Sequence, residues 1–302
     1  MREKRFRGVH TALVTPFTVD GFVDEGALER LVEYQIVNGI DGLVPCGTTG
    51  ESPTLSHAEH DRVIDLTVRY AKGRVPVIAG TGSNATSEAV RLSKHAEDHG
   101  ADAVLLVNPY YNKPTQKGLY LHFKTIANAV SVPCILYNIK GRTGVNLETD
   151  TLRRLADECQ NIIAVKEASG SLEQMKQVIG EKMDGFAVLS GDDNLSLDLI
   201  ESGGDGVISV ASNLLPGMMS EMVHKALDGD KAGSRAINDR LQAFFKVCFV
   251  ETNPIPIKTA MARYGWCLEN FRLPLCTLES EEHRTVLYEV LDALQLPASV
   301  RA

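Results

Sequence analysis

Eight short apolar runs, rich in β-branched residues, recur along this 302-residue chain with a helix-like segment after each, and that alternation constrains the fold more than any other feature. The runs occupy residues 12–15, 42–45, 75–79, 103–107, 134–137, 162–165, 186–189 and 207–210. The segments between them carry helix signals. Ser56-His57-Ala58-Glu59 is a capping box ahead of Val63, Ile64 and Leu66. Asp24 precedes Leu28, Leu31 and Val32, and residues 118–130 place Leu119, Phe123, Ile126 and Ala127 on one face. The repeat interval of roughly 20–35 residues is the length of a βα unit. Eight units predict an α/β fold of the (β/α)8 TIM-barrel type, with a doubly wound sheet as the alternative. After about Gly229 only helical stretches remain, at 236–249, 257–264 and 280–296, the first two separated by Asn253-Pro254-Ile255-Pro256. The expected division is a catalytic barrel over 1–229 and a C-terminal helical extension over 230–302, packed on the barrel.

Composition narrows the class of function. With 44% hydrophobic and 23% charged residues the chain reads as a soluble globular protein, and a net charge of -8 leaves no basic stripe for nucleic acid or an anionic membrane. The six cysteines are scattered without a CxxC pair, which fits free thiols in a reducing compartment. The basic start, Met1 to Arg7, is not followed by a signal-peptide core, and no apolar run reaches transmembrane length. A cytoplasmic location is expected.

One run is broken by a charge. Asn161-Ile162-Ile163-Ala164-Val165 continues into Lys166, an ammonium at the end of a strand that reads as buried on both faces. Holding a lysine neutral at pH 7 costs roughly 4–5 kcal/mol relative to its free pKa. A site bears that cost when it uses the amine, and the use that fits is a Schiff base with a carbonyl substrate. The competing reading has Lys166 emerging into solvent or pairing with Glu167.

The other strand ends favour the first reading, because strand C-termini form the active face of such a barrel. After the second run comes Gly47-Thr48-Thr49-Gly50-Glu51, a turn able to hold a small carboxylate. Asn108-Pro109-Tyr110-Tyr111-Asn112 follows the fourth, Tyr137-Asn138 and then Arg142-Thr143-Gly144 the fifth, and Ser190-Gly191-Asp192-Asp193 the seventh. This is equipment for imine chemistry on a 2-oxo acid. Lys166 attacks the ketone, the threonine turn holds the carboxylate, a phenol relays protons, and Arg142 suits a carboxylate on a partner substrate. Gly80-Thr81-Gly82-Ser83-Asn84-Ala85 follows a strand as a dinucleotide fingerprint would, but no acidic residue ends a following strand, so a turn and cap is expected. His57 and His60 lack further ligands at metal spacing, and Asp192-Asp193 lacks a calcium-loop continuation.

The ordered set of motifs resembles the dihydrodipicolinate synthase / N-acetylneuraminate lyase superfamily of class I aldolase-type barrels, over nearly the whole chain. The set runs from Thr15-Pro16 through Gly47-Thr48-Thr49-Gly50-Glu51, Pro109-Tyr110-Tyr111-Asn112, Tyr137-Asn138, Val165-Lys166-Glu167-Ala168 and Ser190-Gly191-Asp192-Asp193 to Asn253-Pro254-Ile255-Pro256. The resemblance implies an imine between Lys166 and pyruvate, with the pyruvate carboxylate at Thr48 and Thr49. It implies a proton relay of Thr48, Tyr111 and Tyr137, with Tyr111 supplied by a neighbouring subunit. Arg142 would bind the carboxylate of aspartate 4-semialdehyde, which the synthase branch needs and the sialic acid lyases generally do not. The carbonyls of Gly191 and Ile208 would line the pyruvate pocket. Also implied are a homotetramer built as a dimer of dimers and no metal or organic cofactor. Lys140 stands where the family usually has proline.

In lysine-inhibited members of that family a pocket at the tight interface binds free lysine through residues matching Ser52, His57, His60, Asn84, Glu88 and Tyr110. With the full set present, a feedback site for lysine is expected here.

Overall fold

The computed structural model describes residues 6–302; most of the basic N-terminal stretch lies outside them. Eight strands form one parallel sheet: β1 (Gly8–Ala12), β2 (Gly42–Val44), β3 (Ile78–Gly80), β4 (Ala103–Val107), β5 (Cys134–Asn138), β6 (Ile162–Glu167), β7 (Ala187–Ser190) and β8 (Gly206–Ser209). Their order is β2-β1-β8-β7-β6-β5-β4-β3. The two ends of that order meet. Leu43 and Val77 form a parallel bridge, Leu43 N–H donates to the Pro76 carbonyl at 3.0 Å, and Gly80 N–H donates to the Pro45 carbonyl at 2.9 Å. The sheet therefore curls into a TIM barrel.

Helices follow the strands: α1 (Glu25–Val37), α2 (His57–Ala71), α3 (Thr86–Asp98), α4 (Gln116–Ala127), a single turn α5 (Lys140–Thr143), α6 (Thr149–Glu158), α7 (Leu172–Glu181), α8 (Ser196–Glu201) and α9 (Pro216–Leu227). Their starts are capped as the side chains dictate. Asp24 accepts from Ala27 N–H, and Ser56 with Glu59 closes the capping box of α2. Beyond α9 come α10 (Lys231–Val247), α11 (Ile255–Arg263) and α12 (Glu281–Ala293), with α10 packed on both α9 and α12. No helix among the described residues is long and apolar enough to cross a membrane.

Side chains alternate between two cores, as the two-residue period of a strand requires. Small and branched residues fill the barrel interior, among them Ile78, Ala103, Ile135, Ala164, Ala187, Leu189 and Ile208, and Phe6 joins them. The larger cluster, with Val9, Leu43, Val104, Leu136, Val165, Val188 and Val207, lies between strands and helices. On β6 the interior face carries Ala164 and then Lys166. The register slips once, at Ile163, which has no partner on β5, and then pairs Lys166 with Tyr137 on one side and Leu189 on the other.

Some boundaries differ from the sequence expectation for identifiable reasons. The first strand is Gly8–Ala12 rather than 12–15, because His10 and Thr11 are polar and conceal it. Thr11 is buried under α1, donating to Gln35 at 2.7 Å, while Val14 N–H already leaves the sheet for the Asn213 side chain at 3.0 Å. The Gly80–Ala85 motif supplies no side-chain cap, since α3 starts at Thr86 and its N-cap residue, Ala85, makes no side-chain bond. Its glycines answer to crowding instead. A Cβ on Gly80 would lie 2.3 Å from the Cys46 carbonyl oxygen, and one on Gly82 would lie 2.4 Å from Val107 N.

Candidate active site

Lys166 is 5% exposed at the mouth of the barrel, with Nζ over the face of the Tyr137 ring, 4.3 Å from its centroid. Among the described residues no carboxylate lies within ion-pairing distance of it, and solvent is not its destination. Glu167 faces the other way. It accepts from Ser169 N–H at 2.8 Å, Asn138 Nδ2 at 3.1 Å and Gln174 Nε2 at 3.3 Å, and burial raises its pKa. Asn138 in turn accepts from Asn108 Nδ2 at 3.0 Å and Leu147 N–H at 2.9 Å. This buried network ties the ends of β4, β5 and β6 together and so fixes Tyr137 beside Lys166.

The opposite wall is set by β7 and β8. A Cβ on Gly191 would come within 2.5 Å of Ala168 Cβ and 3.0 Å of Lys166 Cε, so only glycine leaves the lysine stem its place. Asp192 borders the cavity, and burial raises its pKa to about 6 against the opposing pull of Lys166. Asp193 is fully buried and accepts from Val210 N–H at 3.0 Å and Ala211 N–H at 2.9 Å, which fixes the chain leaving β8.

The Gly47–Glu51 turn is bracketed by two non-glycine residues in the left-handed region, Cys46 at φ 55° and Glu51 at φ 54°. Such backbone persists only when its surroundings hold it. The hold here is the ion pair of Glu51 with Lys258 of α11, 2.6 Å long with both side chains at 0% exposure. Lys258 also donates to the Thr15 carbonyl at 3.1 Å and the Asn270 carbonyl at 2.7 Å. Asn253, just before α11, donates to Thr49 Oγ1 at 3.0 Å, and its carbonyl accepts from Arg142 Nη2 at 3.1 Å. The C-terminal helices thus position both the threonine turn and the arginine.

A cavity of about 40 Å³ opens over Lys166, bordered by Thr48, Thr49, Tyr137, Arg142, Gly191 and Asp192, with Phe249 and Asn253 from the C-terminal segment. A larger one, about 410 Å³, adjoins it and shares Gly47, Thr48, Leu105, Tyr137, Ile139 and Arg142. Ser52, His57, His60, Glu88 and Tyr110 line this second cavity. Glu88 accepts from Ser83 Oγ and lies 2.7 Å from His57 Nε2, contacts that hold its pKa down. His60 is buried, donating Nε2–H to the Gly80 carbonyl at 2.9 Å, and burial lowers its pKa. Asn84 supports the wall from behind by accepting Tyr110 N–H at 2.8 Å.

Two candidates stand outside the cavity over Lys166. Tyr111 is 92% exposed with φ 58° and borders neither space. Ile208 is fully buried in the barrel interior, and Val210 supplies the wall at that strand. Three groups escaped sequence reasoning. In the sequence Asn253 stands out only as part of a proline break and of one family motif, with no role of its own. Glu51 and Lys258 are 207 positions apart, so neither announces the other.

The geometry can be set beside known proteins. The profile of the dihydrodipicolinate synthetase family matches residues 5–294. The 4-hydroxy-tetrahydrodipicolinate synthase of Aquifex aeolicus is 50% identical over 292 residues, 97% of this chain and 99% of its own. Among solved structures, dihydrodipicolinate synthase from Acinetobacter baumannii complexed with pyruvate superposes with a TM-score of 0.94 at 46% identity, covering 96% of this chain and 99% of its own. The enzyme from Cyanidioschyzon merolae with lysine bound gives 0.94 at 41% identity, covering 98% and 100%. The chain belongs to the dihydrodipicolinate synthetase family.

Proposed function

We propose that this chain is a lyase that condenses pyruvate with aspartate 4-semialdehyde to 4-hydroxy-tetrahydrodipicolinate, on the route to diaminopimelate and lysine. The observation that carries the reading is Lys166: buried, with no carboxylate among the described residues within ion-pairing distance, and lying over a phenol ring beside a cavity edged by two threonines. Its amine adds to C2 of pyruvate, and loss of water gives the imine. A proton leaves C3 to form the enamine, whose carbon attacks the aldehyde. The amino group of the bound aldehyde substrate then adds to C2, closing the ring and releasing Lys166. Overall one water is lost.

In this scheme Thr48 and Thr49 hold the pyruvate carboxylate, and the carbonyls of Gly191 and Ile208 line the pyruvate pocket. Tyr137 and Thr48 move protons, completed by Tyr111 from a neighbouring subunit, which suits the full exposure of that ring within one chain. Arg142 takes the carboxylate of the aldehyde. The imine itself is the electron sink, so the scheme calls on no cofactor. A homotetramer, a cytoplasmic location and a division at residues 229/230 complete the reading. Free lysine in the larger cavity, its ammonium at Glu88, would act on catalysis through the shared residues Thr48 and Tyr137.

Turnover assays separate this from a sialic acid or sugar-acid aldolase. Aspartate 4-semialdehyde should be consumed with pyruvate, whereas N-acetylmannosamine should not, and Arg142→Ala should lower kcat/KM for the former by about 10–100-fold, the worth of one charge-assisted pair. Consumption of the sugar instead would overturn the assignment. Millimolar lysine should inhibit, and Glu88→Ala should relieve that inhibition; indifference to lysine would remove the effector site from the account.

A further inference from the structure

Helices α2 and α3 lie side by side, and ionisable pairs run along their seam. His57 Nε2 meets Glu88 at 2.7 Å, Arg91 donates to Asp61 at 2.9 Å, and His95 Nε2 lies 3.0 Å from Asp65 Oδ1. The first pair borders the larger cavity. The last is built differently, because His99, four residues on at the C-cap of α3, stacks on His95 with ring centroids 3.9 Å apart and planes at 21°. One ligand atom each from Asp65, His95 and His99 falls within 4.8 Å of the other two.

We propose that Asp65, His95 and His99 form a site for a divalent transition-metal ion of the zinc class, joining α2 to α3 away from the reacting groups. Two histidines at i and i+4 share one face of a helix, the spacing by which helical metal sites present paired imidazoles. The tautomer of His99 is settled by its surroundings. Its Nδ1 lies 2.8 Å from the His95 carbonyl oxygen, which can only accept, so Nδ1 carries the hydrogen and Nε2 keeps a lone pair. His95 has a looser outer neighbour: its Nδ1 faces Asp61 Oδ2 at 3.7 Å, beyond a direct hydrogen bond, and Arg91 holds that carboxylate. A carboxylate behind the non-ligating nitrogen is the support that metal-bound histidines usually have.

The spacing is close to what a metal needs. Ligand atoms about 2.0–2.1 Å from a tetrahedral ion stand about 3.3 Å apart. The 3.0 Å separation of His95 Nε2 from Asp65 Oδ1 would widen by a few tenths, and a small shift of the exposed His99 side chain that keeps its Nδ1–H on the His95 carbonyl would close the third side. Two nitrogens and one oxygen suit zinc, nickel or copper rather than calcium or magnesium, with water in the remaining position. Bound there, the ion stiffens the helix pair that carries His57 and Glu88 at its other end.

The test is titration of the tag-free full chain with Co²⁺, read by its visible absorption, and with Zn²⁺, read by calorimetry and by Tm. The expected result is one ion per chain and a Tm that rises with Zn²⁺. His99→Gln and Asp65→Asn should each weaken binding at least tenfold and abolish the Tm rise, with turnover unchanged and the same far-ultraviolet dichroism. No stoichiometric binding would overturn the proposal. Equal binding by His99→Gln would do so too, placing the ion elsewhere, for example on the exposed thiol of Cys276.

Discussion

Among the described residues two lysines lie buried, and what surrounds them differs. Lys258 of α11 is 0% exposed but fully engaged: a carboxylate, two carbonyls, and the rings of Phe17 and Phe271 at 4.4 and 4.8 Å replace its water. Burial lowers its pKa and Glu51 pulls it back up. Lys166 is buried too, at 5% exposure, but it has one aromatic face for company and an open cavity in front. Burial alone therefore does not make a nucleophile. What matters is whether the site has already used the amine's bonds. Lys258 is a strut that holds the Gly47–Glu51 turn in its left-handed backbone, whereas the amine of Lys166 is left without such partners.

The contrast can be broken most severely at Lys166. Lys166→Ala should lower turnover by more than about a thousandfold, the worth of covalent catalysis, while leaving Tm almost unchanged. A variant that unfolds instead would make Lys166 a structural residue like its counterpart. Lys258→Ala should do the reverse, costing about 3–5 kcal/mol in urea denaturation because Glu51 is left buried and unpaired. The double change Glu51→Gln with Lys258→Met should recover much of that stability, and a failure to recover would mean that the pair is not the main strut.

Asp192 gives a third, pH-dependent test. Its pKa is raised in the folded protein to about 6 from an ordinary 3.8, first of all by burial. Well below pH 3.8 the group is protonated in both states, and its contribution to stability is fully present. As pH rises from about 4 through 6 the unfolded chain has lost the proton that the folded protein still holds, so stability falls by about 2–3 kcal/mol and the loss is complete above 6. Asp192→Asn should therefore be more stable than the parent at pH 7 and equal to it near pH 3.5, in denaturation curves at both. The smallest effect is expected at Gly191. Gly191→Ala should push the stem of Lys166 aside and slow imine formation about tenfold, or about 1.4 kcal/mol, in rapid-mixing experiments with pyruvate.

The two lysines also explain what the sequence could and could not show. Lys166 was legible because it interrupts an apolar run, where a charge has no ordinary reason to be. Lys258 was not, because a lysine on a helix usually faces solvent, and its burial depends on Glu51 from the other end of the chain. The eight strands were readable as apolar runs, with edges off by a few residues where, as at Thr11, a polar side chain bonds to a helix across the sheet. Asn253 looked like part of a break, yet its side chain supports Thr49 and its carbonyl supports Arg142. Tyr111 was read from its motif, but its ring lies outside the space over Lys166 in a single chain. Contacts between distant segments leave no local pattern, and those are the contacts that sequence reading missed.

The central claim is that Lys166, and not the other buried amine, joins pyruvate. Borohydride reduction of the chain in the presence of pyruvate, followed by peptide mass spectrometry, tests it directly. The account predicts one reduced pyruvyl group per chain, on the peptide carrying Lys166, and none on Lys258. An unmodified Lys166, or label on Lys258, would contradict it.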